Sequence, residues 1–369
     1  MKVETSYNSA LIVCKGNPSF IMPVLNVVLG LSKLYDSVKF ICGDISKDSE
    51  AFLLGECKNL TIENLQLQSK GGSKILSVYH FRKKVFQIID NTQHDLLWIA
   101  TGDTAVSMGN KLRSYRFVMC LLELYDTVPL YNFLLKRLSR YAHKIVTAEY
   151  NRSAILRVRW NLKQTPYVLP NKPYFKPGTE NGNHNAVNGP LVQKVKDEIS
   201  KGKKVILYQG IITSWRRLDT VAKATLEDDS KFVFLIVGKD YDYIETLKGI
   251  NPNIIHIPFI DAPLHLEITK LADIGIVVYD FIDLNNIYCA PNKIWEYAMF
   301  SKPMLCNDIP GLKYTVEHYK AGLCTDFNCV DSVKDTLGKI FTDYPEYSAN
   351  AETFYNSVDL DSIIKNIVR

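Results

Sequence analysis

The chain has 369 residues, enough for about two domains that each bury an apolar core. Hydrophobic residues make up 47% of it and charged residues 22%, which excludes a mainly disordered chain and a disulfide-stapled miniprotein. The eight cysteines include no C-x-x-C pair, so we expect reduced core thiols. No apolar run reaches the length of a membrane span, and the first ten residues lack the apolar segment of a signal peptide. We therefore expect a cytoplasmic protein.

Positive charge is concentrated in one stretch of a chain whose net charge is +5. Residues 111–160 carry ten Lys and Arg against three acidic residues, with aromatic residues interleaved. Such a surface can contact nucleic acid, anionic lipid headgroups or a phosphorylated acceptor, or it can be the solvated face of ordinary helices. Nucleic acid is the least favoured partner, because no zinc spacing, RNA-binding motif or basic tail accompanies the cluster. We expect no nucleic acid partner and a peripheral contact with an anionic membrane surface.

The first half of the chain alternates short Val- and Ile-rich runs with amphipathic segments, which is typical of βα units and a parallel sheet. The predicted strands are 11–15, 38–43, 60–65, 96–100, 117–123, 144–149 and 166–170. Helical patterns fill the gaps, and Pro23 falls in the first turn of one of them, where a missing N–H does no harm. These elements predict a Rossmann-like domain over residues 1–175.

The same alternation of apolar runs and amphipathic segments resumes after a segment rich in Pro, Gly and Asn, which we interpret as a linker at 176–190. The predicted strands there are 205–210, 232–238, 253–258, 273–279, 303–306 and 322–326. They predict a second Rossmann-like domain over 191–349, and a C-terminal helix at about 350–369 is a candidate to complete the first domain. The fold class is therefore α/β, with two doubly wound parallel sheets facing a central cleft.

The second half also contains five sequence pieces in a characteristic order. They are VILYQGIITSWRRLDTVAKA, FLIVG, HIPFI, LADIGIVVYD and APNKIWEYAMFSKPMLC, within residues 205–306. This run resembles the C-terminal nucleotide-sugar-binding domain of GT-B glycosyltransferases, specifically the family 4-like retaining enzymes of bacterial surface-polysaccharide synthesis. The first half contains three weaker matches to the family, LLELYD (121–126), AEYNRSAILR (148–157) and VLPNKPY (168–174). The resemblance implies the GT-B fold and a nucleoside diphosphate sugar as donor.

A loop after the first strand of the second half carries two arginines. A departing diphosphate gains negative charge, so its site needs fixed cations and oriented N–H donors. Arg216 lies six residues after Gly210, which permits close backbone approach, and the resemblance assigns a basic residue of this loop to the diphosphate. Arg217 is the alternative, and either arginine can instead cover a helix end.

The peptide APNKIWEYAMFSKP offers the most specific candidates. Pro291 fits the start of a helix, whose free N–H groups at Asn292 and Lys293 would face a phosphate. Lys293 adds a formal charge. Glu296 follows Asn292 by one helical turn in an otherwise apolar segment, and the resemblance gives it the ribose hydroxyls. A structural salt bridge is the alternative role for this carboxylate.

The sequence departs from the family pattern at one position. The family often carries E-x7-E, and Tyr288 stands where the first of these glutamates would be. That position contacts the transferred sugar in the family, so Asn285, Asn286 and Tyr288 are the candidates for neutral hydrogen bonds to it. The base is assigned to the loop and turn that contain Phe259, Ile260 and Gly238.

Candidates in the first half are weaker. Gly16 opens the loop after the first strand and would let a phosphate or the acceptor approach the backbone. Glu123 and Asp126 follow a strand, where either can position or deprotonate an acceptor hydroxyl, although Asp126 equally suits a helix N-cap. Glu149 and Arg152 form either a site pair or a structural ion pair.

A D-x-D pair at Asp240 and Asp242 is of the kind that binds Mn²⁺ or Mg²⁺ in the GT-A fold, but the two-sheet rhythm disfavours that fold. The seven histidines show no ligand spacing. We therefore expect a metal-independent enzyme with no cofactor beyond its nucleotide-sugar substrate.

These observations favour a retaining hexosyltransferase that serves a surface polysaccharide such as a capsule, with a glycan or lipid-linked oligosaccharide as acceptor. In this interpretation Arg216 and Lys293 stabilise the diphosphate, and Glu123 serves the acceptor. Two other interpretations stay open. A catalytically silent GT-B subunit is favoured by Tyr288, whereas a UDP-sugar 2-epimerase is disfavoured by the dispersed histidines.

Overall fold

The computed structural model describes residues 7–67, 74–175 and 189–369. The chain divides into two compact units. The first unit comprises Met1–Phe175 and Asp359–Arg369, and the second comprises Lys176–Val358. Of the predicted linker, residues 176–188 lie outside the described residues, and Pro190 already begins a helix.

The first unit is built on a seven-stranded parallel sheet. Its strands are β1 (Tyr7–Cys14), β2 (Tyr35–Cys42), β3 (Leu60–Asn64), β4 (Leu96–Ile99), β5 (Val118–Leu121), β6 (Lys144–Thr147) and β7 (Tyr167–Val168), in the order β3-β2-β1-β4-β5-β6-β7. Its helices are α1 (Met22–Ser32), α2 (Lys47–Glu56), α3 (Lys74–Asp90), α4 (Gly102–Met108), α5 (Pro129–Ser139), α6 (Tyr150–Trp160) and the C-terminal α16 (Leu360–Val368). The strand order reverses between β1 and β4.

The second unit is built on a six-stranded parallel sheet. Its strands are β8 (Lys204–Gln209), β9 (Phe232–Val237), β10 (Ile255–Ile257), β11 (Ile274–Val277), β12 (Met304–Asn307) and β13 (Gly322–Thr325), in the order β10-β9-β8-β11-β12-β13. Its helices are α7 (Pro190–Ser200), α8 (Leu218–Glu227), α9 (Ile244–Ile250), α10 (Leu266–Thr269), α11 (Leu284–Ile287), α12 (Asn292–Met299), α13 (Pro310–Leu312), α14 (Val330–Thr342) and α15 (Tyr344–Asn356). The order reverses between β8 and β11.

The second sheet is buried on both faces, and β8 shows why the residues between the two ends of such a strand are apolar. Val205 and Leu207 enter the core on one face of the sheet, while Ile206 and Tyr208 enter the core on the other. Successive side chains of a strand point to opposite faces, so a strand covered on both sides needs apolar residues at every position. Every predicted strand corresponds to an observed one, and the predicted α/β class with two doubly wound sheets is confirmed.

The C-terminal segment differs from the single helix predicted at about 350–369. Helix α15 belongs to the second unit, where Phe354 stacks on Trp295 with ring centroids 4.3 Å apart. The helical path then ends, and Asp359 starts α16 in the first unit by accepting a hydrogen bond from the backbone N–H of Ser362 at 3.2 Å. The N-cap preference of Asp explains the new start.

All eight cysteines lie in the described part of the chain, form no disulfide, and six of them are buried. Burial raises the pKa of Cys14 and of Cys120 to about 12, so these thiols stay protonated. None of the helices in the described ranges combines the length and apolarity that crossing a bilayer requires.

Candidate functional site

The reversal point of the second sheet brings together some of the second-half residues singled out by the sequence. In doubly wound sheets the helices on either side of this point lie on opposite faces, which opens a crevice at the carboxyl ends of the two central strands. Here those strands are β8 and β11, and the residues that follow them are Gly210 and Val278.

Two glycines let the ends of neighbouring strands approach each other closely. Gly210 has φ 139° and Gly238, after β9, has φ 147°. A Cβ atom on Gly238 would lie 1.8 Å from the carbonyl oxygen of Gly210, and one on Gly210 would lie 3.0 Å from Nζ of Lys293. Only glycine fits either position without strain.

Arg216 reaches from the loop after β8 to the end of β11. It ends the 3₁₀ turn Ser214–Arg216, its Nη1 donates to the carbonyl oxygen of Val278 at 3.0 Å, and its guanidinium carbon lies 4.2 Å from the ring centroid of Tyr279. The guanidinium therefore lies at the crevice.

Arg217 takes another direction. It has the left-handed φ of 46° and is exposed, pairs with Asp280 at 3.6 Å (Nε to Oδ2), and donates to Asn328. Of the two adjacent arginines, the structure places Arg216 at the crevice, where the sequence had left both possible.

Helix α12 begins next to these residues. Pro291 occupies its N-cap position, and no side-chain cap covers the first turn at Asn292. Lys293 in that turn is only 8% exposed, and its Nζ lies 4.4 Å from the ring centroid of Tyr208 and 5.7 Å from that of Tyr279. The ammonium therefore lies between aromatic faces, beside uncapped N–H groups.

The surroundings of Lys293 change its ionisation. The pKa is lowered from the ordinary 10.5 to about 7, mainly by burial and secondarily by the positive charge of Arg216, while Glu296 acts in the opposite direction. At neutral pH the side chain is therefore a mixture of amine and ammonium, and a bound anion would shift it to the ammonium.

Glu296 is buried, with only 4% of its surface exposed, and lies in a polar network. Its Oε2 accepts a hydrogen bond from Nε2 of Gln209, and its Oε1 lies 3.2 Å from Nε2 of His265. The Oε1 atom of Gln209 in turn accepts from the Thr269 hydroxyl at 2.8 Å. The carboxylate is thus part of an internal network rather than of a surface salt bridge.

Gln209, His265 and Thr269 were not among the residues predicted from the sequence. A signal for Gln209 was present, because a polar residue ends an otherwise apolar strand directly before Gly210. His265 and Thr269 had no such signal, since they precede and end the short helix α10 and reach Glu296 and Gln209, respectively, only through tertiary packing.

The residues assigned to the sugar and to the base differ in their burial and in their contacts. The backbone N–H and Nδ2 of Asn286 both donate to Oδ1 of Asp283, at 2.7 and 2.8 Å, and Tyr288 ends the same short helix α11 half-buried. Ile260 is 8% exposed and packs in the core, whereas Phe259 is 43% exposed. The Ile260 side chain is therefore committed to the core, and the assignment of the base to this loop stays a prediction.

The first-unit candidates mostly carry structural contacts. Arg152 is buried, donates to the Leu122 carbonyl, and lies 3.4 Å from the Glu123 carboxylate. Glu149 caps α6 by accepting from the backbone N–H of Arg152 at 2.9 Å. Arg152 thus pairs through its side chain with Glu123, which keeps about half its side chain exposed (53%).

Two remaining predictions concern Gly16 and the D-x-D pair. Gly16 opens the loop after β1, and a Cβ there would make only ordinary contact, at 3.5 Å. Asp240 accepts from the backbone N–H groups of Tyr243 and Ile244, at 3.0 and 3.1 Å, at the start of α9. Within the described ranges, no group of three or more His, Cys, Asp or Glu is arranged to hold a metal ion.

Comparison with known proteins agrees with this architecture. Residues 192–355 match the family model described as Glycosyl transferases group 1. HepE from Anabaena, solved with UDP and glucose, aligns over 98% of both chains with a TM-score of 0.71 and 14% identity. Sucrose-phosphate synthase from Thermosynechococcus elongatus aligns over 98% of this chain and 95% of its own, with a TM-score of 0.64 and 13% identity.

WaaG, a glycosyltransferase involved in lipopolysaccharide biosynthesis, aligns over 97% of this chain and 98% of its own, with a TM-score of 0.63 and 14% identity. No curated relative matches the sequence significantly. The two reversed sheets and these structural neighbours show an α/β protein with the GT-B fold. Residues of its second unit match the family model of the group 1 glycosyl transferases.

Proposed function

We propose that the chain is a retaining glycosyltransferase that moves a sugar from a nucleoside diphosphate sugar to a hydroxyl of a glycan or lipid-linked oligosaccharide, in surface-polysaccharide synthesis. The observation that carries the proposal is the convergence of Arg216 and Lys293 at the reversal point of the second sheet.

The positions of the two cations support a diphosphate as the ligand. Both flank the ring of Tyr279, and the charge of Arg216 disfavours the protonated form of Lys293. A dianionic group between them would offset this repulsion, accept hydrogen bonds from both side chains and from the uncapped N–H groups of α12, and hold Lys293 as the ammonium. The UDP bound in the HepE complex supports a nucleoside diphosphate as the ligand.

The reaction follows from where charge develops. The acceptor oxygen forms a bond to the anomeric carbon on the face from which the diphosphate leaves, the carbon–oxygen bond to the diphosphate breaks, and the acceptor proton passes to a diphosphate oxygen. Arg216 and Lys293 stabilise the charge that grows on the departing diphosphate, with no metal ion required. Glu123, half-exposed in the first unit, is proposed to bind the acceptor hydroxyl.

We also propose that the acceptor is reached at the cytoplasmic face of a membrane. Helix α5 exposes Leu130 (65%) and Phe133 (61%) next to the exposed Arg137 and Arg140, and Tyr141 follows them. Exposed apolar side chains beside cations are suited to peripheral contact with anionic lipid. This surface, Leu130, Phe133, Arg137, Arg140 and Tyr141, is called the α5 surface below.

The proposal is tested by incubating the protein with nucleoside diphosphate sugars labelled at the anomeric carbon, with and without octyl glycosides as acceptors, and reading products by NMR. We expect an acceptor-dependent glycoside with the anomeric configuration of the donor. A glycoside of opposite configuration contradicts retention. A C2-epimerised sugar from donor alone identifies an epimerase instead, and donor binding with no turnover on any acceptor identifies a catalytically silent subunit.

A further inference from the structure

We propose that Lys293 is a site of covalent acylation by acyl phosphates, and that the amide so formed closes the crevice of the second unit to diphosphates. Arg216 and the free N–H groups at the start of α12 hold the phosphate of the reagent, and the Lys293 amine is the nucleophile. The closing effect rests on the proposed donor site, whereas the modification itself does not. Such a modification would make occupancy of the site depend on the supply of an activated acyl group.

The Lys293 amine is buried in the protein but is not bound by it. Only 8% of the residue is exposed, yet Nζ makes no hydrogen bond or ion pair with any residue in the described part of the chain. Its contacts there are with the ring faces of Tyr208 and Tyr279, and the nitrogen itself keeps access to solvent. Buried polar groups are normally paired, so an unpaired amine that opens into a crevice indicates a ligand or a reaction partner.

The ionisation of the amine favours reaction. The pKa of Lys293 is lowered to about 7, by burial and then by the charge of Arg216, so much of the side chain is unprotonated at neutral pH. An exposed lysine with an ordinary pKa near 10.4 is almost wholly protonated there and is a poor nucleophile. The titratable groups that face the amine are Arg216, Glu296, Cys289, Cys306, Tyr208 and Tyr279.

An acyl phosphate carries the electrophile that suits this arrangement. The Arg216 guanidinium and Nζ of Lys293 lie 4.2 and 5.7 Å from the same ring centroid, that of Tyr279, and no side chain caps the first turn of α12. These groups can bind one phosphate. A single bridging oxygen separates the phosphorus of an acyl phosphate from its carbonyl carbon. A phosphate held by Arg216 therefore brings that carbon close to the amine.

The reaction is a simple acyl transfer. Nζ of Lys293 forms a bond to the carbonyl carbon, the bond from that carbon to the bridging oxygen breaks, and inorganic phosphate leaves with the amine proton on one of its oxygens. The product is an uncharged amide that cannot form an ion pair with a diphosphate. Its acyl group also needs room beside Gly210, where even a Cβ would lie 3.0 Å from Nζ.

The first test measures acetylation of the wild type by acetyl phosphate, with the rate at each lysine read by mass spectrometry. Lys239 is the internal reference, because it is exposed and lies 5.1 Å from the ring centroid of Tyr241, outside the crevice. At pH 7.5 we expect Lys293 to react at least about tenfold faster than Lys239. The rate at Lys293 should also level off above about pH 8, because its amine is by then unprotonated.

The second test separates phosphate binding from the reactivity of the amine. Acetyl N-hydroxysuccinimide is a neutral reagent, so its rate reports only the ionisation and access of the amine. Arg216→Ala should slow acetyl phosphate at Lys293 about tenfold more than it slows this ester, because the phosphate loses its charged anchor. Arg217→Ala is the matched control, since this arginine pairs with Asp280 and should leave both rates unchanged. Circular dichroism confirms that each variant is folded.

The third test measures the consequence for the donor site. Calorimetric titration with UDP, ADP, GDP and CDP identifies the nucleotides that bind the unmodified protein. Acetylation should weaken these nucleotides about 30- to 100-fold, the range for one lost charge-assisted hydrogen bond, and their presence should protect Lys293 from acetyl phosphate. Lys293→Met treated with acetyl phosphate should show no further loss, which excludes an effect through other lysines.

The outcomes separate the two proposals. Equal rates at Lys293 and Lys239, or an Arg216→Ala variant in which both reagents are slowed equally, would overturn the inference while leaving the donor site in place. Full nucleotide affinity after acetylation of Lys293 would overturn the closing effect. If none of the four nucleotides binds the unmodified protein, the proposed function fails, and mass spectrometry still decides whether Lys293 is the site of acylation.

Discussion

The two units share a strand order but present different chemistry at the point where that order reverses. In the first unit Lys15 follows β1 and pairs with Asp103 of α4 at 3.4 Å, and Tyr131 donates to the same carboxylate at 2.8 Å. In the second unit Arg216 and Lys293 share the ring of Tyr279. The fold predicts a crevice in both units, and the two cations near Tyr279 are the reason for which we assign the diphosphate to the second one.

Gly43 and Gly238 occupy positions at which the fold requires glycine, whereas Gly210 occupies a position that we assign to ligand binding. A Cβ on Gly43, after β2, would lie 1.8 Å from the carbonyl oxygen of Lys15, just as one on Gly238 would lie 1.8 Å from that of Gly210. This close contact recurs in both units, so it has an architectural reason. Gly210 is different, because its counterpart in the first unit is a lysine.

The largest expected effect concerns that shared contact. Gly238→Ala and Gly43→Ala each force a methyl group into a backbone carbonyl, so each should destabilise its own unit by about 3 kcal/mol or more. Gly249→Ala is the control, since open space surrounds this helical position and the change should stabilise slightly. Urea unfolding followed by circular dichroism measures the stability of all three variants. If Gly238→Ala or Gly43→Ala leaves the free energy of unfolding unchanged, the two glycine contacts do not have the same structural role in the two units.

A large effect is also expected for nucleotide binding. Arg216→Ala and Lys293→Met should each weaken the nucleoside diphosphate about 30- to 100-fold, because each removes a charge-assisted hydrogen bond. Lys15→Met removes a cation from the reversal point of the first unit and should leave the affinity within about twofold. Calorimetric titration decides. An equal loss in all three variants would contradict the assignment of the diphosphate to the second unit.

The pH dependence of binding is expected to be smaller. In the protein without ligand, Lys293 loses its proton near pH 7. A bound diphosphate would raise the pKa of Lys293, so binding above pH 7 should be accompanied by the uptake of a proton. The affinity should therefore fall as pH rises, by up to about tenfold per unit. Titration at pH 8 in two buffers of different ionisation enthalpy measures the uptake. Lys293→Met should abolish it, and uptake that persists in this variant assigns the proton to another group.

The same shift has a consequence for folding. Between pH 7 and 10.5 the unfolded chain binds a proton at Lys293 that the native chain lacks. The contribution of this group to stability therefore rises with pH across that window, and below pH 7 its destabilising effect is fully present. The free energies of unfolding of the wild type and Lys293→Met, measured by urea unfolding, should converge toward high pH. Parallel curves across the window would contradict the assignment.

The smallest effect is expected on the α5 surface. Leu130→Ser with Phe133→Ser should weaken sedimentation with phosphatidylglycerol-containing vesicles about tenfold, and pure phosphatidylcholine vesicles should bind less than the mixed ones. Tyr314→Ser, which removes a side chain of the second unit that is 66% exposed, is the control. Equal binding of the double variant and the wild type would remove the membrane contact from the account.

The sequence was most informative where burial dictates composition. Strand positions covered on both faces must be apolar, so runs such as VILY and FVFLIV could be located without a structure. The start of α12 at Asn292 was likewise visible, because Pro291 favours a helix start.

Contacts between distant elements were not visible. Gln209 and His265 meet Glu296 from distant places in the sequence, Thr269 bonds to Gln209, and no local pattern brings these residues together. The choice between two adjacent arginines depended on the left-handed backbone at the second of them. The inward turn of Ile260 depended on how its loop packs on the core.

The most direct test of the central claim is a crystal structure of the protein with a nucleoside diphosphate that binds it. The account predicts that the diphosphate lies at the carboxyl ends of β8 and β11, within hydrogen-bond distance of Arg216 and Lys293, with the ribose hydroxyls on Glu296. A nucleotide bound elsewhere, with both cations out of its reach, would contradict the account.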